Sequence, residues 1–234
     1  MEKVSIIIPA YNEGQTIAEV LDEVIKTRLP GVEKEVIVVN DGSTDHTKDI
    51  LATYGKRVKG LKIVHHQMNK GKGAAIKTGI AHSSGAIILI QDADLEYHPK
   101  EYPKLLAPVL SKQTKVVYGS RIEAIKRNLD KMYLSHYIGN RMLSLLTSLL
   151  YGQKISDMET GYKVFRKEVV AGIHFNSRRF DIEPEITAKI CKRGYRIMEV
   201  PIDFFGRTFK EGKKITWKDG LVALWVLLKY RFVD

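Results

Sequence analysis

Six short, mostly apolar runs constrain this chain more than any other feature. They cover residues 4–8, 35–39, 61–65, 86–91, 116–118 and 195–200. They are rich in β-branched residues and do not alternate apolar with polar, the pattern of strands buried on both faces of a parallel sheet. Segments with helical spacing separate them. The first, residues 13–26, places Ile17, Val20, Leu21, Val24 and Ile25 on one face. A polar helix up to Tyr54 and a helix over residues 72–82 follow. This alternation predicts an α/β, doubly wound domain, in which ligands sit at the carboxyl ends of the strands. The second half is less regular. Helices are expected over residues 133–151, 184–193 and 217–232, and a run of unusual polar chemistry over residues 156–166.

A chain of 234 residues can bury a sizeable core as one large unit. Its one cysteine, Cys191, excludes an internal disulfide and a cysteine zinc site, and reads as a small core residue. The net charge of +11 points to an anionic partner (nucleic acid, anionic lipid or a phosphorylated substrate) or to a solvated, Lys-rich surface. Met1-Glu2-Lys3 runs straight into a strand, so no signal peptide is expected. No apolar stretch approaches the ~20 residues needed to cross a bilayer.

Four loops at strand ends carry the candidate chemistry. Asp92-Ala93-Asp94 follows the fourth run directly. Two carboxylates one residue apart at a strand end suit a hard divalent cation whose other ligands are phosphate oxygens. Pro9-Ala10-Tyr11-Asn12-Glu13 closes the first run. Tyr11 is suited to a base, Glu13 to a nucleotide N–H or ribose hydroxyl, and Asn12 to capping the next helix. Asn40-Asp41-Gly42-Ser43-Thr44-Asp45 closes the second, with Asp41 placed for a base or ribose and Ser43 or Thr44 for a helix cap. Asn69-Lys70-Gly71-Lys72-Gly73 closes the third, and its lysines and glycines suit phosphate near a helix N-terminus. None of these is a P-loop or a dinucleotide fingerprint, which argues against a P-loop NTPase and a dehydrogenase. The first loop also lacks the Gly-rich basic character of a nucleotidyltransferase, and no basic–aromatic interleaving supports a nucleic-acid module.

The ordered set Ile6-Ile7-Ile8-Pro9-Ala10-Tyr11-Asn12-Glu13, Val39-Asn40-Asp41-Gly42-Ser43-Thr44-Asp45, Asn69-Lys70-Gly71 and Asp92-Ala93-Asp94 resembles inverting family 2 glycosyltransferases with the GT-A fold. His98-Pro99, Gly119-Ser120-Arg121, and Gly206-Arg207 through Lys213-Lys214 extend the likeness to the dolichol-phosphate mannose synthase, or polyprenyl-phosphate glycosyltransferase, branch. The resemblance covers roughly residues 3–215. It implies a Rossmann-like three-layer α/β/α domain with a mostly parallel sheet. A catalytic domain is expected over residues 1–214, with residues 1–121 as the nucleotide-sugar half and 122–214 as the acceptor half. An amphipathic helix would follow over residues 215–234.

By position, the resemblance assigns Pro9, Tyr11, Glu13, Val39 and Asp41 to the nucleoside, with Lys70 and Gly71 beside them. Asp92, Ala93 and Asp94 would hold the donor, and Asp92, Asp94 and Glu96 the Mg²⁺ or Mn²⁺, with Asp94 the direct ligand. Glu96 stands where family members often carry Gln. Arg121 would lie over the donor or acceptor phosphates, and Arg207 and Lys213 would clamp the diphosphate. Two features depart from the family pattern: no transmembrane helices follow the domain, and Asp157-Met158-Glu159-Thr160-Gly161-Tyr162 replaces a shorter Asp-x-x-Ser/Thr-Gly-Phe segment. The Gln-x-x-Arg-Trp signature of processive synthases is missing, which argues against polymerisation.

The implied reaction is one inverting displacement at a sugar anomeric carbon. A lipid phosphate acceptor is already an anion and needs no base. A hydroxyl acceptor does, and Asp157, Glu159 or Asp181 would supply it. The alternative role of Asp157 and Glu159 is loop structure or a link to Arg166. A nucleotide-sugar donor, a polyprenyl phosphate acceptor and a membrane surface are the expected partners, and nucleic acid is not. A separate anchoring protein would compensate for the missing helices. Trp217, Leu221, Leu224, Trp225 and Leu228 share one helical face flanked by Lys218, Lys229 and Arg231, which suits a bilayer interface, core packing or a dimer. The expected location is cytoplasmic, peripheral at the inner face of the membrane.

Overall fold

The computed structural model describes residues 1–127, 134–206 and 216–233, with the side chains of Glu123, Arg127 and Trp217 outside the description. In chain order its elements are β1 (Glu2–Ala10), α1 (Ile17–Lys26), β2 (Val32–Asn40), α2 (Thr47–Arg57), β3 (Lys62–His65), α3 (Lys72–His82) and β4 (Ile87–Ile90). A 3₁₀ turn (Pro99–Glu101) leads into α4 (Tyr102–Leu110), β5 (Val116–Ser120), α5 (Ile122–Arg127) and α6 (Leu134–Tyr151). The last part is β6 (Lys163–Arg166), α7 (Lys167–Val170), α8 (Ile182–Lys192), β7 (Ile197–Pro201) and α9 (Trp217–Phe232).

The described strands form one seven-stranded sheet in the order β3-β2-β1-β4-β6-β5-β7. Every pairing is parallel except those of β6, which lies antiparallel between β4 and β5. The expected mostly parallel, three-layer architecture is therefore present. Successive β1 residues point to opposite faces, as strand geometry requires. Ile6 and Ile8 pack with α1 (Ile17, Leu21), α2 (Leu51) and α4 (Leu105). Ile7 faces the other layer, with Ile76 of α3, Ile182 and Ile186 of α8 and Leu227 of α9.

Pro9 is tolerated inside the central strand β1 because β4 pairs only as far as Ile7. Beyond that point the sheet opens on this side, and the cleft begins there.

The first helix starts at Ile17 rather than at residue 13, and the caps differ from expectation. Asn12 adopts a left-handed φ of 52° and caps nothing. Its N–H donates to Ser43 Oγ (3.0 Å), and its Oδ1 accepts from the Thr44 N–H (2.8 Å). Ser43 and Thr44 are thereby tied to the first loop rather than to α2. Asp45 serves α2, accepting from the Thr47 N–H (3.0 Å), and reaches back to the Gly14 N–H (2.9 Å). The short polar side chains thus lace two strand-end loops together, because each has a bare backbone donor within reach of the other.

Candidate active site

A cleft of about 920 Å³ opens at the carboxyl ends of β1, β2 and β4. It is lined at one end by Pro9, Tyr11, Glu13, Asp41 and Lys70, and deeper in by Lys72, Asp92, Asp94, Arg121 and Glu159. Ala93 and Glu96 also line it. Segments far apart in sequence converge here because an open parallel sheet leaves its loops on one edge.

Asp41 has a structural task of its own. Its Oδ1 accepts from His66 Nδ1 (2.6 Å) and the Lys70 N–H (2.9 Å), and its Oδ2 from the Gly71 N–H (2.7 Å). His66 is held from its other side by Thr78 Oγ1 at 2.9 Å. Asp41 therefore folds the third loop against the second. Gly42 permits the approach: its φ is +68°, and a β-carbon there would overlap the Met68 backbone.

The two acidic residues after β4 differ in their surroundings. Asp92 Oδ1 pairs with Lys72 Nζ at 2.7 Å. The same ammonium lies 2.9 Å from Glu183 Oε1. Burial works against the Lys72 charge, but the two carboxylates outweigh it and raise its pKa. Asp94 Oδ1 accepts from the Glu96 N–H (3.2 Å) across a turn in which Leu95 has a φ of +62°. A leucine held in the left-handed region at the mouth of a cleft marks a turn fixed by its surroundings. Among the described residues no three His, Cys, Asp or Glu side chains converge as a metal cage would require. With Asp92 paired to Lys72, the donor set does not amount to a closed three-carboxylate site. It fits a hard cation that takes one protein carboxylate and fills its other positions with oxygen ligands from elsewhere, and Asp94 could supply that carboxylate.

Across the cleft, Arg121 forms a two-pronged pair with Asp157: Nε to Oδ2 at 2.8 Å and Nη2 to Oδ1 at 2.6 Å. The Arg121 backbone N–H and Asn140 Nδ2 complete the Asp157 shell, each at 2.8 Å. Burial would raise the Asp157 pKa, but Arg121 and these hydrogen bonds hold it below its ordinary value. Asp157 is fully buried, which corrects its candidacy as a catalytic base. The anticipated link to Arg166 is also absent, since Arg166 pairs with Glu2 at 2.9 Å. Asp181 accepts from the Arg179 N–H at 2.8 Å, beside α8.

Glu159 differs from its neighbours. Its Oε1 is buried without a hydrogen-bond partner, although the residue lines the cleft. Burial, then the charge of Glu183, pushes its pKa up to about 7. Val39, expected at the nucleoside, is fully buried and packs with Ile37 and Ala75. Arg207 and Lys213 lie outside the described residues. Lys72, expected to meet phosphate, is held instead by Asp92 and Glu183, while Gly161, Lys163 and Glu183 carried no site expectation. The signal available was Gly161 and Lys163 following Glu159, and the Asp-x-Glu at the start of α8, where charge and glycine recur among apolar neighbours.

The fold is that of the GT-A glycosyltransferases. Crystal structures of glucosyl-3-phosphoglycerate synthase from Mycobacterium tuberculosis share the fold. The complex with Mn²⁺, UDP and glucosyl-3-phosphoglycerate aligns with a TM-score of 0.75 at 21% identity, over 98% of this chain and 80% of that one. The complex with Mn²⁺, UDP and phosphoglyceric acid gives 0.77 at 20% identity, over 100% and 80%. The sequence carries the assignment further: Glycosyl transferase family 2 matches residues 5–173, and the chain belongs to that family.

Dolichyl-phosphate beta-glucosyltransferase ALG5A of Trichomonas vaginalis is 32% identical over 86% of this chain and 65% of its own. Dolichol-phosphate mannosyltransferase of Pyrococcus furiosus is 30% identical over 90% and 59%. An uncharacterized protein of Methanocaldococcus jannaschii is 32% identical over 86% and 81%. The chain thus spans about three-fifths of the length of these two named transferases.

Proposed function

We propose that this glycosyltransferase moves a hexosyl group from a nucleotide sugar of the GDP-mannose or UDP-glucose type to a polyprenyl phosphate, with inversion. The observation that carries the reading is a juxtaposition. Asp94, suited to a cation-bound diphosphate, and Arg121, a guanidinium fixed by Asp157, line one cleft. Such a cleft suits an anionic leaving group and an anionic nucleophile together. The relatives named for dolichyl phosphate support that acceptor.

Pro9, Tyr11, Glu13 and the loop of Lys70 and Gly71 would receive the nucleoside. A divalent cation, Mg²⁺ or Mn²⁺, bound with the donor would neutralise the departing diphosphate. An acceptor phosphate oxygen forms the new bond to the anomeric carbon while the bond to the diphosphate oxygen breaks, its electrons leaving on the nucleoside diphosphate. The Arg121–Asp157 pair is neutral as a whole, so Arg121 orients an incoming phosphate more than it attracts one from a distance. Arg207 and Lys213 are proposed to cover the diphosphate.

The surface supports delivery from a membrane. On α6, Leu134, Ile138, Met142, Leu145 and Leu149 are exposed at spacings of three and four, and no acidic residue lies in that helix. On α9, Leu221, Leu224, Trp225, Leu228 and Phe232 are exposed, beside Lys218, Lys229 and Arg231. Among the described residues no helix is long and apolar enough to cross a membrane. We assign these faces to the interface of an anionic bilayer, with the protein at its cytoplasmic face.

The test is nucleoside diphosphate release from a panel of GDP- and UDP-sugars with Mn²⁺ or Mg²⁺, with and without a short polyprenyl phosphate. Release that requires metal and lipid phosphate and is lost in Asp94→Ala supports the proposal. Nucleotide-sugar binding with no lipid-dependent release refutes the acceptor.

One observation favours a second reading, a hydroxyl acceptor: in the cleft, Glu159 has a buried Oε1 without a hydrogen-bond partner and a pKa raised to about 7. In that case the transfer rate climbs with pH through about 7 and collapses in Glu159→Gln. Transfer to a phosphate anion survives Glu159→Gln.

A further inference from the structure

Four alternating charges run from the core to the cleft. Lys163, on β6 opposite Ile90, is completely buried and does not line the cleft. Its ammonium donates to the carbonyls of Met158 and Thr160 and to Glu183 Oε2, and lies 4.7 Å from the centre of the Tyr118 ring. Glu183, at the start of α8, then meets Lys72 at 2.9 Å, and Lys72 meets Asp92 at 2.7 Å. Burial raises the Glu183 pKa, but Lys163 and Lys72 prevail and keep it ionised. On its other side Asp92 lies against Gly161, where any β-carbon would overlap Asp92 Oδ2.

From this geometry we infer that Lys163 is a positioning residue for sugar transfer, acting through Glu183 and Lys72 to hold the Asp92 carboxylate in place. The inference rests on the reading of Asp92 and Asp94 as the diphosphate end of the donor site. Asp92 is restrained twice by one segment: Gly161 leaves room for its carboxylate, and Lys163 anchors the chain that grips it. A carboxylate so restrained is withheld from a cation. It is available as a fixed acceptor for the donor, and Asp94 is left as the metal-binding carboxylate. The same segment sets the opposite wall, since Asp157 fixes Arg121. The Asp157–Lys163 stretch thus positions both sides of the cleft while contributing mainly Glu159 and Gly161 to its lining.

The test is a double-mutant cycle of Lys72→Met, Lys163→Met and the double variant in the full chain, with Gly161→Ala as a variant that leaves the buried charges intact. Three readouts apply: thermal midpoint, kcat and KM for the donor sugar, and binding of Mn²⁺ alone by electron paramagnetic resonance. If the relay holds, each single variant loses about tenfold or more in donor turnover. The double variant is no worse than Lys72→Met within about twofold, because the relay from Lys163 reaches Asp92 through Lys72. Lys72→Met binds Mn²⁺ more tightly than the parent, by about threefold or more, because Asp92 is released to the ion.

Losses that multiply in the double variant, or unchanged Mn²⁺ affinity in Lys72→Met, overturn the relay. If Lys163→Met fails to fold, Lys163→Arg, which keeps the buried charge but moves it, takes its place in the cycle, and full turnover in both Lys163→Arg and Gly161→Ala overturns the relay. A parent protein that binds neither nucleoside diphosphate nor Mn²⁺ sinks the donor-site reading itself, which is a different failure.

Discussion

At the scale of single residues, the cleft is governed by which buried charges have partners. Asp157 and Arg121 neutralise one another in a site shielded from water. Asp157→Asn leaves the guanidinium without its counter-charge and should cost about 3–5 kcal/mol, seen as a lowered thermal midpoint at neutral pH. Glu159 is the opposite case. Its folded-state pKa of about 7 lies above its ordinary value of 4.5, so the folded chain binds that proton more tightly than the unfolded one. Stability therefore carries no penalty from Glu159 below about pH 4.5, declines as pH rises, and bears the full penalty above about pH 7. Glu159→Gln should raise stability by about 1–3 kcal/mol at pH 8 and leave it unchanged at pH 4.5, measured by urea unfolding at both values. An equal gain at both would show that the carboxylate charge is not the cause.

At the scale of elements, α9 has two apolar faces with different duties. Val226, Leu227 and Tyr230 are buried, the first and last beside Ala188 of α8, and Tyr151 of α6 donates to the Leu227 carbonyl at 2.7 Å. Leu227→Ala should cost about 2–5 kcal/mol. Leu221→Ser with Trp225→Ser should change stability by less than about 1 kcal/mol, since both residues are exposed. The same pair should abolish sedimentation with anionic vesicles; retained sedimentation would remove α9 from the membrane face.

The sequence pattern revealed the outer frame because β1, β2 and β4 are buried on both sides and so read as unbroken apolar runs. It did not reveal β6. Four residues reading Lys-Val-Phe-Arg, with a buried lysine, look like loop, and only the partner strands β4 and β5 make them a strand. Likewise the strand-end loops announced Asp92, Asp94 and Tyr11. Nothing local ties Lys72 to Asp92 or Asp157 to Arg121, because those pairs depend on how loops meet across the sheet. The caps were misplaced for the same reason: Asn12 has the right chemistry for a helix start, but a neighbouring loop offers it a nearer donor.

At the scale of the whole molecule, a net charge of +11 combines with exposed apolar helix faces. Charge draws such a protein to an anionic surface, and apolar burial retains it there. Binding to vesicles containing about one-third phosphatidylserine should weaken severalfold between about 0.05 and 0.5 M NaCl and be slight on neutral vesicles. Binding that ignores both salt and headgroup charge would leave apolar contact as the only attraction. The placement of β6 also bears on how the chain is made. The strand that completes the middle of the sheet joins β4 about 70 residues after β4 itself has been translated. At ~5–20 residues per second, a nascent chain waits roughly 4–14 s with the flank of β4 open. For that interval a row of unpaired N–H and carbonyl groups beside Ile87–Ile90 can recruit any passing strand. Soluble yield from a ribosome should therefore depend on chaperone supply and elongation rate far more than the stability of the finished enzyme suggests.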